Sequence, residues 1–206
     1  MRSPRAGRRA PSAVGGRISD QAGRPSRAGR RAGAFPGRDS RRADPKGLSR
    51  AVLDEILEAW RTNQRINLYL IDHISDEGMA CTLSKRGGRD VCRQLAHLHN
   101  VRVWHLENRA RDLAKGLETF ASKERPDRKR LKAALTASSD AIEAFLAALH
   151  AGEPKRRGSK KGLPTTLGYF IAHESHHRGS ILLTLKMCGK KMDQASAYAI
   201  WDWDKI

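Results

Sequence analysis

Aromatic residues are scarce in this 206-residue chain, at 5%, and cysteine is scarcer still. Cys81, Cys92 and Cys188 show no CxxC spacing and no disulfide framework, which suits a reducing cytoplasm. No run of about 18 apolar residues exists, so no membrane span is expected. The Arg-rich start lacks the apolar segment and small-residue cleavage site of a secretory signal. Nucleophile elbow, P-loop and glycine-rich dinucleotide turn are all missing. No stretch alternates apolar with polar residues as an exposed strand would, and no internal repeat is visible.

Residues 1–46 lack large apolar side chains apart from Val14, Ile18 and Phe35. They also lack acids: 13 Lys and Arg stand against Asp20, Asp39 and Asp44, a net +10. The other 160 residues carry 27 basic and 19 acidic side chains, a net +8. A segment so poor in apolar surface cannot offset its ordering entropy, so 1–46 is expected to be a disordered basic tail. Its charge would bring only salt-sensitive, non-specific contact with nucleic acid.

What the chain does have begins at Leu48. Val52, Ile56, Ala59, Asn63, Ile66 and Leu70 form one stripe at steps of three and four, predicting a helix over 48–74. Asn63 interrupts that stripe, and a buried amide there needs partners. Asp90 sits as an N-cap for a second helix, expected to reach about residue 118. Asp127 caps a third over 128–150, and Pro164 opens a fourth that Gly189 stops. The segment AYAIWDWDKI is expected to form a short helix that packs its two tryptophans on the rest. Four long amphipathic helices predict an all-α four-helix bundle over 47–206, an architecture that often builds metal sites in its core.

Eight histidines are many for this composition. His173 and His177 lie four apart inside the fourth helix, one above the other on one face. Such a pair can offer two nitrogens to a divalent ion at about 2.0–2.1 Å without bending the backbone. The string HESHH also matches H-E-x-x-H, in which Glu174 would be a general base. No glutamate follows Glu174, and RGS after His177 breaks the longer protease pattern. A third ligand is sought on the second helix, which offers His97, His99 and His105. His97 shares a face with Val101 and Trp104, an apolar side, which favours it slightly. Arg178 is expected to pair with an acid across the bundle or to anchor an anionic substrate.

The strings RQLAHLHNVRVWHL and LGYFIAHESHHRGSILLTLKMCG, closed by AYAIWDW, resemble the DinB family of metal-binding helical bundles. His173, His177, Arg178 and Gly179 match the family's HxxxHRG signature, and His97 matches its helix-two histidine. The resemblance implies an up-down-down-up bundle and a three-histidine site, His97, His173 and His177, for zinc or nickel. It also implies a homodimer and chemistry with a low-molecular-weight thiol, metal-assisted hydrolysis, or a stress or damage role without turnover. Ser180 departs from the glutamine frequent in relatives, so no role is carried over to that side chain.

Overall fold

The computed structural model describes residues 49–206; the predicted basic tail lies outside them. Six helices and no strand are present among the described residues: α1 (Arg50–His73), α2 (Asp76–Met79), α3 (Val91–Arg109), α4 (Arg128–His150), α5 (Leu163–Met187) and α6 (Gln194–Ala199). Side-chain caps set most starts. Ser49, Ser75, Asp90, Asp127 and Asp193 each accept a hydrogen bond from the backbone N–H three residues on. Leu163–Met187 begins with Pro164 in its first turn, and Gly189, at φ +68°, lies just beyond its end. Arg128 reaches back from the start of α4 to the carbonyls of Ile71 and Ile74, satisfying the end of α1.

The four long helices pack in the ring α1, α4, α3, α5. Two apolar clusters fix their directions. One joins the end of α1 (Ile66, Leu70, Ile71), the start of α3 (Val91, Leu95, Leu98), the start of α4 (Leu131, Leu135) and the end of α5 (Ile181, Leu185). The other joins the opposite ends through Leu57, Trp60, Leu106, Ile142, Phe145 and Phe170. Helices α1 and α5 therefore run one way and α3 and α4 the other, the up-down-down-up order.

Two expectations fail. The second helix stops at Arg109, because Ala110 leaves helical backbone at φ −159°, ψ 59°. Leu113 and Leu117 continue the apolar period, but they pack on the second cluster from turns. At the C-terminus, Trp201 and Trp203 do not pack down; they are 72% and 51% exposed, and Ile200 and Ile206 meet the core instead.

Between the apolar ends lies a polar belt. Glu174 is buried and bonded to Arg102 twice, at 2.6 and 2.9 Å. One of its oxygens also accepts from Asn63 and Asn67, at 2.6 and 2.7 Å. The oxygens of those two amides accept from Arg178, at 2.8 and 3.0 Å. Arg102 further donates to the Leu135 carbonyl and lies 4.8 Å over the Trp60 ring. Arg178 meets no acid across the bundle; it donates to these two amides and to the Ser175 hydroxyl, at 2.7 Å.

Candidate metal centre

The belt sets the rotation of α5 about its own axis. Each residue advances 100° around a helix, so locking Glu174 and Arg178 inward turns His173 and His177 toward the neighbouring α3. There they meet His97. Ring centroids lie 4.7 Å apart for His173–His177, 4.9 Å for His97–His177 and 5.6 Å for His97–His173. One nitrogen from each ring falls within 4.8 Å of the others. No protein group hydrogen-bonds any of the three rings among the described residues, so their lone pairs are open. Tyr169, one turn before His173, lies nearly parallel to its ring at 6.3 Å.

Burial disfavours the charged imidazolium. It pushes His97 and His177 down to about 4, helped at His97 by Arg89 and His173 and at His177 by His173 and His97. Burial also lowers His173. All three rings are therefore neutral at pH 7, the form that ligates. Three convergent neutral imidazoles on two helices fit a first-row divalent ion.

The H-E-x-x-H alternative ends here. Glu174 has both oxygens committed to Arg102, Asn63 and Asn67, on the inner side of α5, so it is no base for this site. Its carboxyl is held below the usual range; burial alone would raise it, and Arg102 with the two amides more than reverses that.

His97 is in place, though not for the reason given by its face. Trp104, which shares its side of α3, is 57% exposed, while the buried side carries His99, Arg102, His105 and Leu106. His99 bonds the Glu118 carbonyl at 2.9 Å and is a packing residue. His105 is buried among Trp104, Tyr169 and Phe170, with neither ring nitrogen partnered. His176 is exposed beside the pair. Sequence reasoning missed Arg102 and Asn67. The signal was there: Asn63 and Asn67 repeat at four residues inside an apolar stripe, as Glu174 and Arg178 do on α5.

A cleft of about 460 Å³ opens beside His97, between the loop before α3 and the loop before α4. One ring of the three, that of His97, therefore lines an open cleft.

An all-helical up-down-down-up bundle with a three-histidine site able to hold a divalent ion defines the class. Within it, the DinB family model matches residues 47–204, and the chain belongs to that family. No curated protein matches the chain. No helix among the described residues is long and apolar enough to cross a membrane.

Proposed function

We propose that this chain is a metal-dependent enzyme that transfers a low-molecular-weight thiol to a small electrophile, or hydrolyses one, at His97, His173 and His177. The observation that carries this reading is the donor set: three neutral rings and no carboxylate, beside an accessible cleft. A zinc or nickel ion held by neutral ligands keeps its full charge and supplies an activated thiol or water at neutral pH. The protein's part is to hold the rings neutral by burial and to fix them on α3 and α5. The belt of Glu174, Arg102, Asn63, Asn67 and Arg178 keeps α5 in that setting. The resemblance adds a cytoplasmic homodimer serving a stress or damage response.

A second reading keeps the same site without turnover, as a metal-binding stress protein. The half-buried, protein-unbonded rings are compatible with it. Metal-loaded protein assayed against electrophiles with and without added thiol, and against a hydrolase panel, separates the two. Thiol-dependent product formation that disappears with His177→Ala supports the enzyme. Tight metal binding with no turnover across both panels supports the second reading.

A further inference from the structure

The cleft beside His97 has a chemical character of its own. Its floor is one face of α3, where Arg93, His97 and Asn100 follow at steps of four and three. Arg89 stands on one wall and Ser122 and Glu124 on the other. Both walls are built. On one side the Ser84 hydroxyl accepts from the N–H groups of Arg86 and Gly88, at 3.3 and 2.8 Å. On the other, the Asn100 amide clasps Phe120 through both backbone groups, at 2.8 and 2.9 Å. Arg93 spans the two, donating to the carbonyls of Ser122 and Gly88 at 3.0 and 3.4 Å.

The charges do not cancel. Glu124 spends its oxygens on Arg130 and the Ala121 N–H, and Asp90 spends its own on Arg125 and the Arg93 N–H. Arg93 meets only carbonyls, so its charge is uncompensated. Arg89 has no carboxylate partner among the described residues, and it lines the same cleft as His97. A metal-loaded centre would add still more positive charge.

We infer that this cleft binds the oxyanion end of the substrate, a carboxylate or phosphate gripped by Arg89 with Arg93 behind it, so that the reacting end reaches the histidine centre. Guanidinium groups suit such planar, two-pronged recognition. The identity of the reacting end rests on the proposed thiol chemistry; the anion site does not.

Two probes separate these. Succinate is titrated into the zinc-loaded protein, following backbone amide shifts of residues 87–97 and 120–124. Saturable shifts are expected there, with affinity falling on the order of tenfold in Arg89→Gln. Arg86→Gln, a charge loss on the same loop outside the cleft, should change little. Absence of saturable shifts, or equal weakening in both variants, overturns the proposal. In the second arm, mercaptosuccinate and 2-mercaptoethanol are added to cobalt-substituted protein, reading the thiolate-to-metal absorption band. Mercaptosuccinate should bind about tenfold tighter, and Arg89→Gln should remove that preference without affecting the neutral thiol. A preference that survives Arg89→Gln also overturns the site. If neither thiol gives the band while succinate binds through Arg89, the thiol reading falls and the anion site stands.

Discussion

Helix α5 carries two residue pairs at the same spacing and treats them oppositely. Glu174 and Arg178 face inward, are buried, and spend their polar atoms on Arg102, Asn63, Asn67 and Ser175. His173 and His177, one position earlier each, are half-buried and bonded to nothing in the protein among the described residues. One set is complete without a ligand and the other is not. A saturated buried network specifies a packing arrangement. A convergent set of donors that the protein leaves free is able to hold a metal ion. The belt should therefore govern stability, and the triad should govern binding.

The sharpest way to break this contrast is to unpair the belt. Glu174→Ala leaves Arg102 buried without its carboxylate and should cost about 3–5 kcal/mol in urea unfolding. Replacing Arg102 by Met and Glu174 by Leu together should cost clearly less, because no lone buried charge remains. A Glu174→Ala loss under about 1 kcal/mol would show that the belt does not hold the bundle.

A smaller effect separates the two sets by pH. His97 and His177 ionise near 4 in the fold and near 6.5 when unfolded. Between those values the unfolded chain binds more protons, so metal-free stability is full above pH 6.5 and declines as pH falls toward 4. In His97→Ala and His177→Ala that decline should be shallower. The same shift keeps the rings free of protons, so zinc should stay bound through the pH 6.5 region where an exposed triad would already compete with protons. Urea midpoints and zinc retention across pH 4–7.5 check both, and half the zinc lost by pH 6.5 would contradict the second.

The smallest effect concerns His105, a buried ring whose nitrogens have no partner. An unpaired polar group in an apolar cage gains nothing from its polarity. His105→Phe should leave thermal stability unchanged or raised by up to about 1 kcal/mol, with metal content intact. Loss of more than that would mean the ring nitrogens are satisfied by bound water.

Much of this was legible in the chain. Caps such as Asp90 and Asp127, and Pro164, marked helix starts because one side chain or one fixed φ decides them locally. Asn63 announced the belt, since an amide in an apolar stripe needs partners, and it has Glu174 and Arg178. The end of α3 was hidden because Leu113 and Leu117 keep helical spacing while packing from turns. The inner face of α3 was misread because it is polar: Arg102, His99 and His105 are buried there, while Trp104 lies outside. Apolar period finds a core face only where the core is apolar. His97 was reached through its likeness to the family motif, and its packing would have been no guide.

The central claim, one divalent ion held by His97, His173 and His177 acting together, is tested most directly by metal analysis of the purified protein and of His97→Ala, His173→Ala and His177→Ala. The account predicts close to one ion per chain in the parent. Each variant should lose it, with affinity down by more than the roughly 10–100-fold that disturbing a ligand's supporting hydrogen bonds costs. Each should also keep a helical circular-dichroism spectrum and a cooperative melt near that of the metal-free parent, because the belt and the apolar ends are untouched. A stoichiometric ion in all three variants would contradict the claim.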